Sequence, residues 1–122
     1  MISGTDAVTS IFGYWPEFAG ARIISFCYTV EGLVTLKLSY IDATAGKGAF
    51  VSLAFTGARG IELTDLASEN VLGCLSISEG SPMAVTLESC IGLGGSFTCT
   101  AVAVIGVVPN NSFKPNPLRG SA

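Results

Sequence analysis

Histidine is absent from this 122-residue sequence. That removes the commonest acid and base at neutral pH, and the usual partner of a nucleophilic serine or cysteine. Charge is scarce as well, at 12% of residues against about 25% in an ordinary soluble domain. The six basic residues lie singly along the chain, so no cluster of the kind that tracks a phosphate backbone is present and nucleic acid is not an expected partner. The longest apolar run, residues 101–109, is too short to cross a bilayer and contains Gly106, so no membrane association is expected. Four cysteines, Cys27, Cys74, Cys90 and Cys99, form no Cys-x-x-Cys pair. Neither a metal site nor a cofactor is expected from them, and in a reducing compartment they read as small buried apolar side chains. The first residues lack the basic start and apolar core of a secretory signal, which makes a cytosolic product the expectation.

Apolar residues make up 49% of the chain, and there are fifteen glycines. Few charges, many glycines and a length suited to one core point to a compact β domain with tight turns. The net charge of −3 fits a basic protein partner, although steering at that charge is weak.

The densest feature is Ile11-Phe12-Gly13-Tyr14-Trp15-Pro16-Glu17-Phe18. Four aromatic rings fall between Phe12 and Phe18, the only tryptophan among them. Gly13 and Pro16 interrupt any long helix, and adjacent Tyr14 and Trp15 would point to opposite faces of a strand. An irregular aromatic plug is therefore expected, entered by a short helix that ends near Gly13 and packed on a sheet made by the rest of the chain. Ser3 and Asp6 stand at the spacing of a helix cap.

Strands follow. Residues 22–30 read as one, with Ile24, Phe26, Tyr28 and Val30 sharing a side. Glu31-Gly32 closes a hairpin, and residues 33–42 return with Val34, Leu36, Leu38 and Tyr40 on the core face. Residues 49–56 alternate Val51, Leu53 and Phe55 against Ser52, Ala54 and Thr56. A short segment at Ile61 and Leu63 precedes Asp65–Asn70, expected to be one helical turn or a corner. Residues 71–78 form a strand in which Gly73 tolerates a bulge or a close approach, and residues 83–89 another with Met83, Val85 and Leu87 inward. The glycine-rich 91–95 connection leads into a strand, not a helix, so it is no dinucleotide fingerprint. Residues 96–108 read as one long extended stretch bent at Gly106. From Asn110 to Ala122 the pattern is lost; an irregular tail beyond a single 1–109 domain is expected. The fold expected is an antiparallel sandwich or curved sheet of about seven strands with a short N-terminal helix.

Acidic residues stand singly at turns, as solvated side chains do: Glu17, Glu31, Asp42, Glu62, Asp65, Glu69, Glu79 and Glu88. A glycosidase would need two of them facing each other in unlike environments, and nothing in the pattern pairs them, so no enzyme is expected. Glu62, Asp65 and Glu69 are close enough in sequence to make a small acidic patch, with capping and solubility as the plainer account.

Phe12-Gly13-Tyr14-Trp15-Pro16-Glu17-Phe18 resembles the opening motif of the Immunity protein 50 family of bacterial polymorphic-toxin systems. There an aromatic-Gly-x-Trp-Pro-x-Phe run is followed by His-Asp-Ala and a strand. In this chain Ala19 and Gly20 replace the His and Asp. The likeness continues weakly through residues 51–57, 61–63, 69–72 and 97–109. It implies a cytosolic, non-enzymatic protein that binds and neutralises a cognate toxin. On that reading the expected contact residues are Tyr14, Glu17, Asp42, Glu62, Asp65 and Glu69, while Phe12, Gly13, Trp15, Pro16 and Phe18 are mainly structural. The competing expectation is a small-ligand domain with a cavity under the plug, lined by Trp15, Tyr28 and Tyr40. Low charge and abundant apolar residues also admit self-association.

Overall fold

The computed structural model describes residues 2–110, so all but Asn110 of the expected tail lies outside the described residues. The architecture is mainly β: a mixed nine-stranded sheet in the order β1-β9-β4-β3-β2-β6-β7-β8-β5, with one short helix. The elements are β1 (Ile2–Ser3), α1 (Asp6–Phe12), β2 (Arg22–Tyr28), β3 (Val34–Asp42), β4 (Lys47–Thr56), β5 (Arg59–Thr64), β6 (Val71–Ser78), β7 (Met83–Ile91), β8 (Gly94–Cys99) and β9 (Ala101–Pro109). All pairings are antiparallel except β1 with β9, where Ile2 lies beside Val102.

Helix α1 forms because Val8 and Phe12, one turn apart, bury the same face. Gly13, at φ 86°, ends it by donating to the Thr9 carbonyl at 2.7 Å, a left-handed conformation that suits glycine. Thr5, not Ser3, occupies the N-cap, and no side chain caps the helix. Ser3 is committed to β1 instead.

The long expected stretch over residues 96–108 is two strands broken at Thr100, which is one correction to the sequence reading. The physical reason is a shared corner. Thr100 donates both its N–H (2.8 Å) and its Oγ1 (3.0 Å) to the Thr56 carbonyl. Beside it Gly57 turns the partner strand at φ 68°. A Cβ on Gly57 would stand 2.7 Å from Thr100 Oγ1. Thus β4–β5 and β8–β9 are two long bent strands that stay paired through the corner. Strands β3 and β2 extend from β4, and β7 and β6 extend from β8. The pairing closes where Arg22 of β2 meets Val71 of β6. Rings from both arms meet inside, Phe55–Phe97 at 5.1 Å and Phe26–Phe97 at 6.3 Å.

The alternating sets expected on β3, β4 and β7 are the buried ones: Val34, Leu36, Leu38 and Tyr40; Val51, Leu53 and Phe55; Met83, Val85 and Leu87. Strand β2 departs from its expected pattern. A bulge between Ile23 and Ser25 shifts the register, so Ile23 and Phe26 face the core while Ile24 is exposed. An extra residue reverses which parity points inward. Residues 65–70 form a corner without a helical turn. The bulge that Gly73 was expected to tolerate is present, since the ladder steps from Leu72↔Ser89 to Cys74↔Glu88. The cysteines also differ from expectation: only Cys99 is buried, and Cys27 and Cys90 are exposed. Cys27 lies on the outer face of β2 once the bulge sets its parity.

Candidate functional site

The aromatic motif packs on β3 through one residue. Tyr40 receives Phe12 at 5.1 Å and Phe18 at 5.3 Å, both edge-on, and Trp15 packs edge-on against Phe18 at 5.5 Å. Such contacts contribute about 0.5–1.5 kcal/mol each beyond area burial. The backbone after the rings does a second job. Glu17 O accepts from Leu75 N (2.7 Å), Gly20 N donates to Leu72 O (2.7 Å), and Leu72 N donates to Ala21 O (2.8 Å). Residues 17–23 therefore carry the edge of β2 across to β6 and close the sheet there. Ala19 and Gly20 make the tip of a tight turn in which Ala21 N reaches Phe18 O at 3.0 Å. Gly20 sits at φ 82° with nothing near a would-be Cβ, a position where glycine is at ease and aspartate would be strained.

Tyr14 and Asp42, both among the expected contact residues, are brought together. Tyr14 donates its phenol proton to Asp42 Oδ2 at 2.8 Å, and its oxygen lies 3.1 Å from that of Tyr40. An ionised carboxylate only accepts, and a phenol has one proton. The order is therefore Tyr40 to Tyr14 to Asp42. Ala45 N completes the carboxylate at 3.2 Å. Hydrogen bonds to Tyr40 and then to Asp42 hold the Tyr14 phenol well above its ordinary range. The bond from Tyr14, followed by that from Ala45, holds Asp42 below the ordinary carboxylate value.

The remaining expected contact residues do not join this cluster. Glu17 is exposed beside the β6 seam. Glu69 pairs with Arg22 at 3.4 Å, both side chains more than half exposed, a kind of pair worth about 0–1 kcal/mol. Glu62 and Asp65 lie on or beside β5, at the end of the sheet order. Among the described residues no group of three or more His, Cys, Asp or Glu side chains is arranged to hold a metal ion.

A third feature was not assembled by the sequence reading. Residues 58–70 run back along β2 in the opposite direction and are tied to it at two ends. Ala58 N donates to Gly32 O at 2.8 Å, and Ile23 N donates to Asn70 O at 2.8 Å. Between those ties no ladder joins the two segments among the described residues. A groove of about 540 Å³ opens there, with Phe26 and Tyr28 on one wall, Ile61 and Leu63 on the other, and Arg59 at the end. Past Phe26 and Leu63 it continues as a mostly apolar hollow of about 290 Å³ reaching Leu66, Leu93 and Asp65. Tyr28 is 52% exposed and Leu66 76%. Trp15 and Tyr40, expected with Tyr28 in one ligand cavity, line neither hollow.

Asn70 fixes the corner at the far end. Its Oδ1 accepts from Ala67 N (3.0 Å) and Leu93 N (2.8 Å), and its Nδ2 donates to Ala67 O (2.9 Å). The one sequence signal for this groove was Leu66, a large apolar side chain among the polar and small residues of 64–70. Phe26, Ile61 and Leu63 read as ordinary core positions. No protein-family model, no curated protein and no solved structure matches the chain.

Proposed function

We propose that this chain is a non-catalytic binding protein that neutralises a cognate bacterial toxin by stoichiometric association in the cytosol, the role its aromatic motif implies. The observation that carries the reading is the open groove between β2 and β5, where exposed Tyr28 and Leu66 lie with half-buried Ile61 and Leu63. Clustered exposed apolar groups of this kind are the usual core of a protein contact. Tyr14, held in place by Tyr40 and Asp42, supplies a pre-ordered aromatic ring elsewhere on the surface, and rigid tyrosines are favoured anchors. The sheet that carries both features is proposed to be folded over as a sandwich, with Phe55 and Phe97 facing across it. Nucleic acid, membrane and cofactor have no part in this reading.

The test is co-expression with a toxin domain encoded beside the gene. Rescue of growth together with co-purification at a fixed ratio is expected, and neither occurring would remove the toxin reading. A second reading, a small apolar ligand held in the groove, is favoured by its volume, within the range of about 300–1,000 Å³ common for ligand sites. A ligand-dependent rise in melting temperature across an apolar compound panel, lost in Leu66→Glu, would select it.

A further inference from the structure

We propose that the groove between β2 and β5 receives an extended segment of the protein partner as an added strand, antiparallel to β2 and bonded to its open edge. This rests on the protein-binding reading above and names the form in which the partner is recognised.

Ladder parity leaves one edge of β2 open. Thr29 N donates to Leu33 O at 2.9 Å, which makes that pair a hydrogen-bonded one. Two residues along, Cys27↔Thr35 is bonded in turn, and Phe26↔Leu36 and Tyr28↔Val34 between them are the unbonded pairs. The N–H and C=O groups of Phe26 and Tyr28 therefore point away from β3, toward the groove. Strand β6 meets β2 only at Arg22, so these groups have no ladder partner among the described residues. A row of unpaired backbone donors and acceptors at the strand repeat is a template for another extended backbone.

The walls choose the side chains. Phe26, Ile61, Leu63 and Leu66 line the floor and far side, so the segment carries apolar side chains at alternate positions, one face of a strand. Arg59 stands at one end of the groove and Asp65 at the other, which favours an acidic residue near the first and a basic residue near the second. Residues 111–122 of the chain itself are poorly suited to the slot. Pro115 and Pro117 stand two apart, so both missing N–H groups would fall on the same strand edge.

The test uses the full chain and a displayed library of random ten-residue peptides without proline. Enriched peptides are synthesised and titrated by fluorescence anisotropy. The expected result is enrichment of peptides with apolar residues at alternate positions. In a proline scan of the best peptide, substitutions at every second position weaken binding about tenfold or more, through loss of a backbone bond. Tyr28→Lys and Leu66→Glu each weaken it about tenfold, while Val108→Glu, on β9, leaves it unchanged. Leu66 is on an exposed corner, so its variant carries the test if Tyr28→Lys does not fold. No enrichment, binders with helical spacing, or binding untouched by both groove variants would overturn the proposal. So would a doubling of mass in solution that Leu66→Glu abolishes, because the occupant would then be a second copy. A toxin that still co-purifies with the Leu66→Glu and Tyr28→Lys variants would overturn this docking mode and leave the protein-binding reading standing.

Discussion

Ala58 and Gly32 are joined by a 2.8 Å backbone hydrogen bond although one lies just before β5 and the other in the β2–β3 turn. That bond holds the start of β5 against the tip of the hairpin and fixes one end of the groove. At the other end Asn70 accepts from Ile23 through its carbonyl, and its side chain grips the corner before β6. A groove fixed at both ends keeps its width without a ligand, so binding there loses less to ordering than it would in a mobile cleft.

The corner at Asn70 is the easiest of these features to probe. Asn70→Ala removes three hydrogen bonds at once and leaves Leu93 N, which is partly buried, without its acceptor. A loss of about 1–3 kcal/mol is expected, read from the urea midpoint, with faster amide exchange at Leu93. Exchange unchanged at Leu93 would show that the side chain does not hold the corner.

Gly57 is expected to resist substitution. Gly57→Ala places a Cβ 2.7 Å from Thr100 Oγ1 at a φ of 68°, and both strain and contact oppose it. The expected cost exceeds about 1 kcal/mol. Thr100→Ala removes both crowding atoms, Oγ1 at 2.7 Å and the methyl at 3.0 Å, so Gly57→Ala should cost less in that background. Additive losses in the double variant would contradict the shared corner.

Within the aromatic motif the buried and exposed rings separate cleanly. Phe18 is fully buried, and Phe18→Ala is expected to cost about 3–5 kcal/mol. Tyr14 is 44% exposed, and Tyr14→Phe is expected to change stability far less. Thermal unfolding of the two variants checks the ordering. The reverse order would mean that the hydroxyl relay, not ring packing, seats the motif.

The Tyr14–Asp42 bond has a pH signature. Asp42 is held below the ordinary carboxylate value in the folded protein. Its contribution is therefore present above the unfolded value and is lost as pH falls through the lower folded one. In Tyr14→Phe the Asp42 titration, followed by the side-chain carboxyl resonance, is expected to move up toward the ordinary value. The acid side of the stability profile should then flatten. A carboxyl titration that does not move would mean that the backbone N–H groups of Ala45 and Thr44 set the shift.

Features determined by neighbours a few residues apart were legible in the sequence, and those set by distant segments were not. Alternation on β3 and β4 named Val34, Leu36, Leu38, Val51, Leu53 and Phe55 correctly, because a period of two leaves one choice of face. Gly13 marked the end of α1 for an equally local reason. On β2 the same rule put Ile24 and Phe26 on one side, and the bulge between Ile23 and Ser25 separated them, bringing Ile23 to the core beside Phe26. Tyr14 and Asp42 were both picked out singly, yet nothing in their spacing said that one would donate to the other. Nothing local joined Phe26 to Ile61, Leu63 and Leu66, which lie more than thirty residues further along the chain.

The amino-acid order alone determined a β domain with a short opening helix, a ring-rich segment, and the inward residues of its most regular strands. Those follow from the chemistry of neighbours a few positions apart. Tertiary structure decided where strands bend, which edge of β2 stays open, and which side chains from residues 26 to 66 line one groove. These depend on register between segments far apart in the chain, set by a handful of backbone bonds such as Thr100 to Thr56 and Ala58 to Gly32. No local pattern encodes those bonds, because any residue but proline can supply the N–H and every residue has the carbonyl.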